Sequence, residues 1–467
     1  MKLKFCGAAG VVTGSSHLLT LDSGYTILLD CGLYQGKDDE LSEFNRKWLF
    51  NPADIDCVVV SHAHIDHTGR LPKLVKDGFA GEIICTHATR DLAALMLMDS
   101  AKIQEREAEY LNKKKGRYEH GIYQPLYTTE DILPTINAMV GIGYEHWHYI
   151  NEEVSIFFRD SGHILGSASV VLRIKRADGT TCDFGFTGDI GRADRPILRD
   201  PQPMMPCDYL ISESTYGDKL HVTKPDESAR FLDIIQRTCI DKGGKLIIPA
   251  FSVGRTQEIV HVLDTFETYG KLPHIDVYVD SPLAVNATKV FQSHPECFDS
   301  DTLEYMLFDP NPFGFNRLKY IRLVKQSKRI NRRRKACIVI SSSGMANAGR
   351  VKHHIFNNIE KESTTVLIVG YCAPGTLGHV LRSGCETVKI FGEEKQVNAT
   401  IETMTSFSAH ADQQEIVDFM GLQDKDRLKN LFLVHGEPDR QAVLKERLHQ
   451  EGFEQVNIPH LGQEVVL

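Results

Sequence analysis

Residues 25 to 186 alternate short apolar runs with turns rich in glycine, asparagine and aspartate, a spacing that predicts strands of a few residues each. Residues 25–30, 57–61, 81–85, 154–158, 169–175 and 182–186 are the expected strands. Between them a helix is expected over residues 90–111, where Leu92, Leu95, Met96 and Ile103 form an apolar stripe beside charged Asp99 and Arg106. Lys113, Lys114, Lys115, Gly116 and Arg117 read as an exposed loop, and Pro125 with Thr128, Thr129 and Glu130 opens another helix. After Gly217 the pattern changes. Residues 245–249, 275–280, 337–341 and 365–370 are continuous β-branched runs separated by helical stretches, the pattern of a parallel sheet buried on both faces. Each run ends in a polar or glycine-containing loop, such as Ser341-Ser342-Ser343-Gly344-Met345 and Tyr371-Cys372-Ala373-Pro374-Gly375-Thr376. Loops at the carboxyl ends of parallel strands are where open α/β sheets bind ligands, and helix N-termini there offer amides to phosphate.

The strongest chemical signal directly follows the run Cys57-Val58-Val59-Val60. Ser61-His62-Ala63-His64-Ile65-Asp66-His67 places three imidazoles and a carboxylate within a few positions. Imidazole nitrogen and carboxylate oxygen suit zinc and its first-row neighbours. A strand passing into a turn can aim His62 and His64 at one ion and leave Asp66 and His67 for a second. Three more segments end apolar runs with ligand-type residues: Leu29-Asp30-Cys31-Gly32, Asp160-Ser161-Gly162-His163 and Thr187-Gly188-Asp189. Their glycines let the backbone turn sharply where a side chain would obstruct a ligand.

The order Asp30, His62/His64/Asp66/His67, His163, Asp189 resembles the metallo-β-lactamase superfamily. Ser212-Glu213-Ser214-Thr215-Tyr216-Gly217, Ser406-Phe407-Ser408-Ala409-His410-Ala411-Asp412 and Val434-His435-Gly436-Glu437 are similar to the three further motifs of its β-CASP nucleases. Within that group the chain looks most like bacterial and archaeal relatives of the endonuclease subunit of the eukaryotic pre-mRNA 3′-end processing complex. The resemblance implies an αββα sandwich with an inserted β-CASP domain of parallel α/β type, divided as 1–216, 217–398 and 399–467. It implies that His62, His64 and His163 hold one zinc, that Asp66, His67 and His435 hold the other, and that Asp189 bridges them; manganese accepts the same ligands. A hydroxide shared by two such ions is a nucleophile at neutral pH. Asp30 is expected to accept from a ligand imidazole, His410 to protonate the leaving oxygen, and Glu213 to hold and polarise His410. The implied reaction is hydrolysis of RNA phosphodiester bonds, leaving 5′-phosphate and 3′-hydroxyl ends. Many relatives carry arginine where this chain has His379.

Composition fits a soluble enzyme. The 11 cysteines, an odd number with no Cys-x-x-Cys pair, argue for reduced buried thiols, and no run could span a bilayer, so a cytoplasmic location is expected. A net charge of −9 does not exclude RNA, because phosphate binding responds to local charge. Ten arginines and lysines between Arg317 and Lys335 occur without an intervening acid. Arg332, Arg333 and Arg334 are its densest part, and a solvated helix face is the competing reading. Arg255 and Arg350, after Gly254 and Gly349, with Ser342, Ser343 and Gly344, are the remaining candidates for RNA contacts; structural salt bridges compete for the two arginines. The expected partners are single-stranded RNA, easily threaded between two domains, and a second copy of the chain.

Three other readings differ in what they require. A glyoxalase-like or lactam-cleaving hydrolase needs neither Glu213, His410 and His435 nor a large insertion. A DNA-processing β-CASP nuclease typically lacks the histidine at position 435. A non-catalytic RNA-binding subunit would have lost ligand positions, all of which are filled here. His17, His87, His146, His148, His353 and His354 fit no motif and are expected at the surface or hydrogen-bonded in the core.

Overall fold

The computed structural model describes residues 1–36, 43–114, 122–221, 227–370, 372–373, 375–404 and 409–467. Lys115, Gly116, Arg117, Tyr371, Pro374 and the stretch Ser406-Phe407-Ser408 lie outside them. The chain forms two compact units, one of Met1–Asp194, Arg199–Leu220 and Ala409–Leu467, the other of Arg195–Leu198 and His221–Ser408.

In the first unit two seven-stranded sheets are built alike. One runs Glu464–Val466, Lys2–Phe5, His17–Thr20, Thr26–Leu29, Cys57–Val59, Glu82–Thr86, Met139–Ile142; its first four strands pair antiparallel and the rest join parallel. The other runs Val456–Asn457, Asn430–Val434, Tyr209–Glu213, Thr181–Phe186, Ala168–Lys175, Val154–Asp160, His148–Tyr149, parallel as far as Thr181–Phe186 and antiparallel beyond. Side chains alternate faces along a strand, so Leu3, Phe5, Ile27, Leu29 and Val59 from one sheet meet Ile156, Phe158, Val170, Phe184 and Phe432 from the other in a single apolar core. The alternate residues are buried too: Phe157, Val171, Leu210 and Leu433 pack against Ile416, Leu444 and Leu448 of the helices Gln413–Met420 and Pro438–Gln450. With the helix His87–Lys114 against the strands Glu82–Thr86 and Met139–Ile142 of the first sheet, this is an αββα sandwich. That helix runs past its expected end to take in Lys113 and Lys114, because lysine and glutamate are good helix formers and Glu109 pairs with Lys113 one turn on.

The second unit holds a six-stranded, wholly parallel sheet in the order Leu318–Tyr320, Asp276–Val279, Cys337–Ser341, Lys245–Pro249, Thr365–Val369, Thr400–Met404. The middle strands are fully buried, as their unbroken apolar runs predict. The sequence places the return to the first domain at residue 399, whereas Thr400–Met404 completes this sheet and the first unit resumes at Ala409. An edge strand of which only Met404 is fully buried carries little apolar signal, so its place in the sheet is hard to read from the chain. Among the described residues no helix is long and apolar enough to cross a membrane.

Candidate metal centre

The imidazoles of the motif follow directly on the strand Cys57–Val59. Cys57–Val59 ends, Val60 and Ser61 follow, and His62 emerges fully buried; His64 then caps a short helix, Ile65–Thr68, that carries Asp66 and His67. Backbone bonds from Ser15 to the Asp66 carbonyl and from Cys31 to the His67 carbonyl tie this helix down. A Cβ on Gly32 would lie 1.6 Å from the Asp66 oxygen, and one on Gly188, where φ is +55°, would lie 2.6 Å from the Ser61 Cβ; glycine is required at both. Asp30 and His435 take the left-handed conformation with φ of 57° and 52°, uncommon for such residues and tolerated where the surroundings determine it.

The donor atoms converge in two groups. His62, His64, His163 and Asp189 form one, and Asp66, His67 and His435 the other. In the first, His64 Nδ1 lies 3.1 Å from His62 Nε2 and 3.2 Å from His163 Nε2, while Asp189 Oδ2 lies 3.5 and 3.4 Å from the same two Nε2 atoms. In the second, His67 Nε2 faces His435 Nε2 at 3.3 Å and His435 Nε2 faces Asp66 Oδ2 at 3.6 Å. Asp189 reaches both groups, since its Oδ1 lies 3.3 Å from His67 Nε2 and 3.6 Å from His435 Nδ1.

The outward-facing nitrogens of His67, His163, His62 and His435 have partners. Asp30 Oδ2 accepts from His67 Nδ1 at 2.6 Å, and Asp30 is itself held by the Ser61 amide, the Ser61 hydroxyl and the Ser15 hydroxyl. His163 Nδ1 donates to the Ala409 carbonyl, His62 Nδ1 meets the Ser61 hydroxyl, and His435 Nδ1 meets the Thr215 hydroxyl at 3.0 Å. Such outer partners fix tautomer and ring orientation and turn the remaining nitrogen lone pairs inward. Burial holds His62 and His163 well below the usual imidazole range and His64 at about 4, so these rings are neutral donors. His67 differs: burial would lower it, but Asp189 and Asp30 together raise it well above its ordinary value. For Asp189 burial is outweighed by the histidines around it, His435 and His67 foremost, and the carboxyl stays well below its usual range.

This donor set fits a cation. Inward lone pairs 3.1 to 3.3 Å apart cannot all be bonded to one another, and the buried Asp189 Oδ1 makes no hydrogen bond of ordinary geometry among the described residues. A divalent metal ion satisfies both, and imidazole with carboxylate is a donor set for zinc or manganese.

A third cluster adjoins the first two. His410 Nδ1 lies 3.4 Å from both Glu213 oxygens and 3.8 Å from Asp189 Oδ2. Burial works against charge on His410, but Glu213, Asp189 and Asp66 raise it to about 9. Glu213, at the end of its strand, also accepts from the Ile190 amide, which fixes the carboxylate. Sequence reading gave no role to Ser15, Ser61, Thr215 or the Ala409 carbonyl. Ser61, Thr215 and Ala409 sit inside recognised motifs, and the two hydroxyls beside ligand-type residues were the available signal; a backbone carbonyl such as that of Ala409 leaves none, nor did Ser15.

The residues nominated for RNA lie in the second unit and are differently placed. Arg255 is buried with its guanidinium on Glu258, which Arg195 also engages. Arg350 donates to Asp280 at 2.7 Å and to the Arg322 carbonyl at 2.6 Å. Both arginines therefore make the structural salt bridges that competed with the RNA reading. Ser342 donates to Ser281, Ser343 bonds across its own loop to Ala348, and Gly344 leaves no room for a Cβ beside the Phe251 ring. Arg332 and Arg334 are exposed, but Arg333 is anchored on Asp276 at 2.5 Å. His379 and Arg382 are exposed on or beside a short helix. Among the unassigned histidines, His87, His146 and His353 are exposed and His354 is a core residue bonded to Asp280 and Asn331. His17 departs from expectation, being neither at the surface nor hydrogen-bonded: both its nitrogens are buried without a partner among the described residues, its ring against Phe5 and Phe186.

Comparison with known proteins matches three family models in chain order: the metallo-beta-lactamase superfamily over residues 9–216, the Beta-Casp domain over 256–381, and the Zn-dependent metallo-hydrolase RNA specificity domain over 394–459. The chain is 33% identical to Ribonuclease TTHA0252 of Thermus thermophilus over 466 residues, 100% of both chains. It is 30% identical to the transcription termination factor FttA of Methanosarcina mazei, covering 91% of this chain and 65% of that one. It is also 30% identical to the cleavage and polyadenylation specificity factor 73 of Drosophila melanogaster, covering 95% and 61%. Sandwich, inserted parallel sheet, donor clusters and full-length similarity agree: the chain belongs to the Beta-Casp branch of the metallo-beta-lactamase superfamily.

Proposed function

We propose that this protein is a zinc-dependent ribonuclease that hydrolyses single-stranded RNA to 5′-phosphate and 3′-hydroxyl ends in the cytoplasm. The observation that carries the reading is the pair of donor clusters sharing Asp189, with the Glu213–His410 pair beside them. A similarly sized relative named as a ribonuclease supports RNA as the substrate. All 11 cysteines are free, in keeping with a reducing compartment.

His62, His64 and His163 would hold one zinc, Asp66, His67 and His435 a second, with Asp189 serving both. When bound, the ions supply Lewis acidity toward the phosphodiester and toward water at neutral pH. The protein's own groups do the rest. Asp30, Ser61 and Thr215 keep the ligand rings oriented, and Asp189 stays ionised between the clusters. As water attacks phosphorus and gives up a proton to solvent, the bond to the 3′-oxygen breaks and His410 gives its own proton to that oxygen. Glu213 keeps the imidazolium in place and charged beforehand. Arg332 and Arg334 are the exposed cations of the basic segment best placed to meet phosphate.

Digestion of one RNA labelled in turn at each end tests the reading. Expected are fragments with 5′-phosphate ends whose formation stops with a chelator and returns with zinc. Fragments with 3′-phosphate ends, or cleavage of duplex DNA in preference to RNA, would overturn it.

A further inference from the structure

The second unit contains a cavity of about 660 Å³ that shares no residue with the metal centre. Its wall comes from three segments: the helix Pro282–Ser293, the turn around Asn311 to Asn316, and the edge strand Leu318–Tyr320 with the residues after it. Lys289 and Gln292 stand one turn apart on the same helix face. Arg322 enters from the far end of the edge strand and belongs to the basic run of the sequence, whereas Lys289 comes from outside that run.

The lining has a definite chemistry. It contains two cations and no carboxylate, in a chain of net charge −9. Neither the Lys289 ammonium nor the Arg322 guanidinium has a protein partner among the described residues. This separates them from Lys319 and Arg333, both bonded to Asp276. Phe315 and Tyr320 line the same space, and the Tyr320 hydroxyl donates to the Phe313 carbonyl at 2.7 Å, which holds that ring in position. Gln292 Nε2 donates to Asn311 Oδ1 at 2.8 Å, leaving the carbonyl of one amide and the NH2 of the other to meet both acceptors and donors. Two cations in one lining suit a phosphate, ring faces suit a base, and mixed amides suit the base's edges. The volume falls within the range of small-molecule sites, roughly 300–1,000 Å³.

We infer that this cavity binds one nucleotide unit, its phosphate held by Lys289 and Arg322 and its base set against Phe315 or Tyr320. The inference rests on the ribonuclease reading in one respect: the nucleotide then belongs to the substrate strand. A free nucleotide has the same chemistry.

The test uses the full-length protein, the double variant Lys289→Ala/Arg322→Ala and the milder Phe315→Leu, with metal content and melting temperature as controls on folding. A long single-stranded RNA carrying 4-thiouridine should photo-cross-link within residues 311–322 of the wild type, and the double variant should lose that cross-link. Its KM for the same RNA should rise about tenfold while kcat stays. Equilibrium dialysis with UMP and AMP separates the sources: binding abolished by the double variant, without an effect on the KM for RNA, assigns the cavity to a free nucleotide. Unchanged KM, no cross-link within residues 311–322 and no binding of UMP or AMP would overturn the inference. Should the wild type cleave no RNA, the ribonuclease reading falls, yet the cross-link and the dialysis still decide whether the cavity holds a nucleotide.

Discussion

His410 and Asp30 stand beside the same clusters, and the different roles proposed for them can be separated by substitution. His410→Ala removes the residue proposed as proton donor, which is not among those proposed to hold either metal. Metal content should therefore stay at the wild-type level while turnover falls by about 10²–10⁴-fold, measured as kcat on one RNA. Asp30→Ala instead releases the His67 ring, so zinc affinity, read by competition with a chromophoric chelator, should weaken by roughly 10–100-fold. A third residue reports on stability alone. Burial pushes the Asp264 carboxyl from its ordinary 3.8 up to about 7, opposed by the Tyr305 hydroxyl bonded to it. The folded protein thus keeps a proton that the unfolded chain gives up at lower pH. The resulting stabilisation is fully present below the unfolded value and is lost as pH rises through about 7. Asp264→Asn should flatten the decline in unfolding free energy between those limits, and an unchanged denaturation profile across that pH range would contradict the assignment. The motif histidines were legible because metal chemistry demands particular residue types at close spacing. Asp264 was not, because its behaviour comes from burial beneath Tyr305, a contact between distant segments.

At the scale of elements, the strands were read correctly wherever their apolar runs are continuous, as in Lys245–Pro249 and Cys337–Ser341. Thr400–Met404 was assigned to the wrong unit because a half-buried edge strand does not alternate clearly. The basic helix Val324–Arg332 shows a different limit: the sequence counts charges but does not pair them. Arg333 is held by Asp276, so Arg333→Ala should lower the melting temperature and leave the salt dependence of RNA binding unchanged. Arg332 and Arg334 are exposed with no side-chain partner among the described residues. Replacing them by alanine should weaken binding and flatten the slope of log affinity against log salt by about 0.7 for every phosphate that is no longer neutralised. Binding titrations at several salt concentrations decide this, and identical slopes would make the helix a solvated face.

Over the whole molecule, the chain order of the motifs foretold a divided unit, because His410 and His435 follow an inserted segment and must still reach His62 and His67. Distance along the chain hid the outer hydrogen bonds, such as Ser15 on Asp30 and the Ala409 carbonyl on His163, and with them the orientation of the rings. The same separation hid the cavity at the sheet edge, whose lining includes Lys289 and Arg322, some thirty residues apart in the chain. The central claim is that one buried centre binds metal in two donor groups and that RNA hydrolysis depends on it. Elemental analysis of the purified protein and of His64→Ala, with RNA cleavage assayed on the same samples, tests it most directly. The account predicts close to two equivalents of zinc or manganese in the wild type, with less metal and no cleavage in the variant. Wild-type protein that carries no transition metal and cleaves RNA undiminished in strong chelator would contradict it.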